Sequence, residues 1–272
     1  MKRIVPLLLF AGFLFGSLFA QSASKGMKAL KAKDYTNAWK NFEVAAINDP
    51  NDAAAQFGLS KMYGIEAAGR KDKDKALEHL LAAEAAWAKL DEKSQSKLSK
   101  LGVTTAELTT RRTRIESSFL EVAKKENTLD AYNAFLKNFP NAKGAIAATN
   151  YRNALAWEQT QENGSIEAMD NFIANYPNAD EVKTATPIRD ERATVLALQA
   201  GTEASLTNFL DKYPSAVQAP QIKQRLNAVA FENAKITNTA AAFKSYIERF
   251  PDSVFLTQAK ERLEWLESKE QK

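Results

Sequence analysis

The chain contains no cysteine and a single histidine, His79. A zinc centre of the usual Cys/His kind therefore cannot be assembled, and cysteine nucleophiles and disulfides are excluded. A lipid anchor on an N-terminal cysteine is excluded as well. Any Ser-His-Asp triad would have to use His79, which falls in a helical segment. Glycine is scarce, ten in 272 residues, and no Gly-rich phosphate loop occurs. Alternation of apolar and polar residues over strand length is lacking, while alanine is abundant, which favours helix. Neither charge sign dominates. With 37 basic and 33 acidic residues the net charge is +4, too balanced for a nucleic-acid footprint.

Long hydrophobic runs are lacking too, with one exception. Lys2 and Arg3 precede an apolar stretch from Ile4 to Phe19, and Ala20 is a plausible cleavage residue. This pattern predicts a secretory signal peptide over residues 1–20, with Ala23 as a later cleavage point. The run is short for a bilayer span of about 20 residues, so no membrane span is expected after cleavage. Export without disulfides fits a bacterial periplasm or cell envelope. Any association with the outer membrane would run through a partner.

What the chain does have is a repeat. Phe139-Pro140 recurs as Tyr176-Pro177, Tyr213-Pro214 and Phe250-Pro251, each 37 residues after the last. Nine residues before each proline sit Ala131, Ala168, Ser205 and Ala242. Five before sit Phe135, Phe172, Phe209 and Tyr246, and four before sit Leu136, Ile173, Leu210 and Ile247. With Tyr132, Met169, Leu206 and Phe243 they form one apolar stripe of a short helix. Thr128, Ser165, Thr202 and Thr239 are placed to cap its first turn. Asn127, Gly164, Gly201 and Asn238 precede them and tolerate the left-handed conformation that ends a helix. The proline stops the short helix by pushing the residue before it out of the α region. Ala142, Ala179, Ala216 and Ser253 are then expected to open a longer partner helix. Pro187 falls inside one long helix, where a kink or a late helix start is expected; Pro220 falls near a helix start, where proline is tolerated. A helix pair of this length cannot bury its stripe alone and must stack on neighbours.

Upstream, Gly26, Ala38, Phe42, Ala45 and Pro50 fall at spacings 0, 12, 16, 19 and 24, with Leu30, Tyr35 and Trp39 adding bulk and Asp34 placed as a cap. This pattern resembles the tetratricopeptide repeat. A second such unit runs from about Asp52 to Leu90, with Leu59 and Tyr63 on its first helix and Ala76, Leu80 and Ala83 on its second. The linker between them, Gly64 to Lys75, ends in the charge run Arg70 to Lys75 and resembles the SEL-like variant. That run reads as a solvated loop or, less simply, as a contact surface. Residues 91–126 break the pattern. They are expected to hold a short helix stopped near Gly102 and a longer one from about Thr105 to Lys125.

The four 37-residue copies resemble tetratricopeptide-like repeats of bacterial envelope proteins. They depart from the standard unit in period and in the distance from the key alanine to the proline. The resemblance implies an all-α chain, a right-handed α-solenoid of antiparallel helix pairs. Its sections would be a signal peptide (1–20), two units (21–90), junction helices (91–126), then four repeats with a C-terminal capping helix (127–272). Leu263, Trp265 and Leu266, followed by a polar end, suit that cap.

Chemistry is hard to find. Ile115-Glu116-Ser117-Ser118-Phe119 resembles the Glu-Ser motif of lytic transglycosylases, in which the glutamate is a general acid. The Gly-Leu-Met-Gln motif that should follow is missing, and Glu116 is expected to be a solvent-facing helix residue. Trp39, Trp87, Trp157 and Trp265 are either core residues or groove anchors. The expected function is thus a non-catalytic scaffold or adaptor for a protein or peptide partner in the cell envelope. No catalytic, metal or cofactor residues are assigned, and the binding residues stay open. The alternatives are a peptidoglycan-associated protein, glycan-binding or lytic, and a self-assembling repeat.

Overall fold

The computed structural model describes residues 12–270, with side chains over 22–269. The leader expected over residues 1–20 thus lies outside the residues whose side chains are described. The described chain is all-α. It comprises α1 (Gly12–Lys31), α2 (Tyr35–Asn48), α3 (Ala53–Tyr63), α4 (Lys73–Trp87), α5 (Glu92–Ser99), α6 (Thr105–Glu126) and α7 (Leu129–Asn138). It continues with α8 (Ala145–Asn163), α9 (Ile166–Asn175), α10 (Val182–Ala200), α11 (Glu203–Lys212), α12 (Ala219–Thr237), α13 (Ala240–Arg249) and α14 (Leu256–Glu270). A single 3-10 turn, Glu66–Ala68, interrupts them, and no strand occurs among the described residues. None of the described helices is long and apolar enough to cross a membrane. Two compact units, Met1–Arg152 and Asn153–Lys272, divide within α8.

In the first unit the chain winds around α3. Every residue from Ala53 to Ser60 is buried, and the helix packs on α1, α2 and α4. A run of alanines and a glycine lets three neighbours approach so closely. Phe42 of α2 fills the gap and is fully buried. A Cβ on Gly26 of α1 would lie 2.6 Å from the Phe42 ring, and one on Gly58 of α3 would lie 2.2 Å from it. Full burial of such a side chain is worth about 1.5–3 kcal/mol.

The helix starts in this unit are set by side-chain caps. Asp34, Asp52, Asp72, Asp91 and Thr104 each accept a hydrogen bond from a first-turn N–H of the helix they precede. The cap at Asp72 starts α4 at Lys73, so the Gly64–Lys75 linker ends earlier than expected. Gly102, at φ +80°, follows the short junction helix as its composition predicts.

The four-fold repeat keeps its register through the fold. The short helices α7, α9, α11 and α13 are each ten residues long and begin at Leu129, Ile166, Glu203 and Ala240. The long helices begin at Ala145, Val182, Ala219 and Leu256, so both series step by 37. Thr128, Ser165, Thr202 and Thr239 accept from the N–H groups of Ala131, Ala168, Ser205 and Ala242. Asn127, Gly164, Gly201 and Asn238 all have positive φ, between +47° and +67°. Phe139, Tyr176, Tyr213 and Phe250 leave the α region, yet each N–H still reaches the carbonyl four residues back. Two positions of the stripe are buried in every copy, Tyr132 and Phe135, Met169 and Phe172, Leu206 and Phe209, Phe243 and Tyr246, while Leu136, Ile173, Leu210 and Ile247 are half-buried.

Two expectations need correction. Ala142, Ala179, Ala216 and Ser253 do not open the long helices, which start three residues later. They are buried in the connecting turn. Their N–H groups bond to the residue before the proline, and their carbonyls accept from the first residue of the long helix. The proline consumes one turn before the helix can begin. Of the two outcomes expected at Pro187, the late start does not occur, since α10 starts in register at Val182 and runs through the proline. Pro187 lies on the exposed side, where water can serve the carbonyl that its missing N–H leaves. Pro220 occupies the first turn of α12, where no N–H is needed.

Candidate functional site

His79 sits on α4, half-buried. Its Nδ1 is 2.7 Å from Gln56 Oε1, and its ring stacks on Tyr63 at 5.3 Å. The amide oxygen can only accept, so Nδ1 carries the proton and donates it. Burial, more than any nearby charge, holds the His79 pKa below its ordinary value. Its hydrogen bond goes to a carboxamide, not to the serine and carboxylate that a triad requires.

Glu116 is not the solvent-facing residue its sequence context suggests. Its side chain is only 13% exposed. It stands one residue past buried Ile115 and four past Arg112, on the part of α6 that leans on α4. Arg112 is already held by Glu84 of α4. Its Nε donates to Oε1 at 2.9 Å, and its Nη2 donates to Oε2. Glu116 Oε1 is left 3.9 Å from Arg112 Nη1, beyond hydrogen-bonding distance. Burial pushes the Glu116 carboxyl above its usual range; Arg112 pulls it down and Glu84 pushes it up again. A raised carboxyl is what a general acid needs. Glycoside cleavage also needs a second carboxylate across the substrate, and Glu84 is locked to Arg112.

The charge run before α4 is largely committed to intramolecular contacts. Arg70 pairs with Glu43 at 2.5 Å and lies over the Trp39 ring at 4.8 Å. Lys71 pairs with Glu66 at 2.7 Å, Asp72 caps α4, and Lys73 lies 4.7 Å over Phe119. Of the four tryptophans, Trp39 and Trp87 are core residues, and Trp39 Nε1 donates to the Ala68 carbonyl at 2.9 Å. Trp157 packs on Phe172 at 5.3 Å. Trp265 on α14 is 47% exposed, beneath the Arg262 guanidinium at 4.0 Å.

The second unit holds a polar cluster that residue pattern alone does not reveal. Asp170 of α9 accepts from the Tyr213 hydroxyl at 2.9 Å and from Lys212 Nζ at 2.8 Å. Arg189 of α10 approaches Asp170 at 3.4 Å and makes two bonds to Asp190, at 2.9 and 2.7 Å. Its guanidinium also lies over the Tyr213 ring at 4.6 Å. Burial raises the Tyr213 pKa, and the bond to Asp170 raises that of Lys212. The only sequence signal is that the copies carry Asn133, Asp170, Thr207 and Lys244 at one register position. Two acids, two bases and a phenol thus tie three helices of neighbouring copies together.

Beside it on α10 lies an apolar hollow of about 700 Å³, walled by Ile166, Ile188, Val195 and Leu196, with Glu191 and Arg192 at its edge. Val195 is 47% exposed and Leu196 is 58% exposed. The neighbouring copies place Glu158 and Gln159, or Glu232 and Asn233, at these positions. The second copy is therefore apolar where its repeats are polar. Among the described residues no three or more His, Asp or Glu side chains gather as a metal site would require. No protein-family model matches the chain, and no curated protein is significantly similar to it.

Proposed function

We propose that this chain is a non-catalytic interaction scaffold of the bacterial cell envelope, built as a tetratricopeptide-like α-solenoid and exported by its N-terminal leader. The observation that carries the reading is the register of the four copies, in which short and long helices both recur every 37 residues. Such units bury their apolar stripes against neighbours and keep a fixed outer surface, so a partner binds with little ordering cost. Copy-specific departures on that surface are then the places to look for recognition. Val195 and Leu196 are the candidates, because an exposed apolar pair replaces polar residues of the sister copies.

Residues 21–272, crosslinked in their native envelope, test the proposal. Capture of one or two specific envelope proteins is the expected result. Release of soluble muropeptides from purified peptidoglycan would overturn the non-catalytic reading, and retention on that glycan alone would favour a glycan-binding protein.

A further inference from the structure

The contact between α4 and α6 holds three charged side chains whose charges do not balance. Glu84 and Arg112 form a two-bonded pair, and Glu116 is the surplus carboxylate. All three are largely covered, with Glu116 the most so. Arg112 is oriented towards Glu84 and offers Glu116 only a 3.9 Å approach. Arg112 on its own helix and Glu84 on α4 are the charges that act on Glu116; none on α7, which also packs on α6, contributes. The surrounding contact is apolar, with Leu80, Ala83, Trp87, Leu108 and Ile115 in one core. A carboxylate there is short of water and has Arg112 only beyond hydrogen-bonding distance.

We propose that Glu116 is a pH-sensitive latch between α4 and α6, which holds the two helices more tightly when it is protonated. The added proton removes the repulsion from Glu84 and the cost of a half-buried charge, and leaves the Glu84–Arg112 pair intact. The carboxyl is raised in the closed state, so the closed state takes up its proton at a pH where an opened one is still ionised. The extra stability is therefore complete below the opened-state value and is lost as pH rises through the closed-state value. An exported protein meets the external pH directly, so a contact of this kind would report acidification.

Carboxyl-selective NMR and hydrogen exchange on the full chain test the latch. Glu116 should titrate above the other glutamates. Protection of α4 and α6 amides, corrected for intrinsic exchange, should rise in acid through that same titration. The rise should be on the order of tenfold per unit by which the carboxyl is raised. Glu116→Gln should show high protection at both pH values. It retains His79 and every other titrating group, so the difference from wild type isolates Glu116. Glu84→Gln should free Arg112 for Glu116, lower its titration and shrink the step. Titration of Glu116 alongside the exposed glutamates would overturn the latch, as would an undiminished step in Glu116→Gln.

Discussion

The Phe42 ring occupies the space that a Cβ on Gly58 would need, with only 2.2 Å between them. The ring is fully buried between two glycines on different helices, so it cannot move aside without opening the unit. Gly58→Ala gains helix propensity of about 1 kcal/mol and meets an overpacking cost of about 1–3 kcal/mol. The clash is severe, so a net loss near 1–2 kcal/mol is expected. Urea denaturation would measure it. Phe42→Leu in the Gly58→Ala background should recover part of the loss, since the smaller side chain makes room.

The four repeat caps make equivalent bonds. Replacing Thr128, Ser165 or Thr239 by alanine should lower stability by about 1 kcal/mol each, and replacement by glycine by only a few tenths. Thr202 belongs to a reciprocal pair in which Ser205 Oγ also accepts from the Thr202 N–H. Thr202→Ala keeps that backbone bond to Ser205, so its loss by chemical denaturation should match the other three, and adding Ser205→Ala should deepen it.

Asn238 and Gly201 hold the same left-handed turn, at φ +50° and +60°. Asn238→Gly should be close to neutral. Gly201→Ala should lose about 1–2 kcal/mol because it adds a Cβ that is strained there. Asn238→Ala should also lose stability, because alanine lacks the polar side chain that suits asparagine to this turn and that accepts from Arg262. Melting temperatures of the three variants would check the order.

Asp170 and Tyr213 connect successive copies through a 2.9 Å hydrogen bond. Tyr213→Phe should lose about 1 kcal/mol. Asp170→Asn should lose more, because Lys212 then loses its anion and Arg189 is left with Asp190 alone. A double-mutant cycle should give a positive coupling, and additivity of the two losses would contradict a direct bond.

Much of this fold is written in the sequence, because its signals are local. The Thr or Ser caps, the left-handed Asn and Gly, and the Phe-Pro and Tyr-Pro stops each act within one turn, and each appears where the pattern puts it. Asp34 and Gly102 were legible in the same way. Contacts between distant segments were not. Gly58 reads as an ordinary residue of an alanine-rich helix until the Phe42 ring lies against it. Glu116 looks exposed by composition, yet α4 covers it and supplies Glu84 from 32 residues away. The Asp170 cluster depends on charges of three helices, and nothing in one copy announces it. The long helices start three residues beyond the small residue after each proline, because that residue is buried in a turn whose length local pattern does not encode.

The scaffold proposal is tested most directly by site-specific photocrosslinking in the native envelope. A photoreactive residue would replace Leu196 of the apolar pair, or Glu158 or Glu232 on the equivalent faces of the neighbouring copies. One discrete protein adduct is expected from position 196, lost when Val195 is changed to Glu, and none from positions 158 and 232. Equal labelling at all three positions, or no adduct at 196 in folded protein, would contradict it.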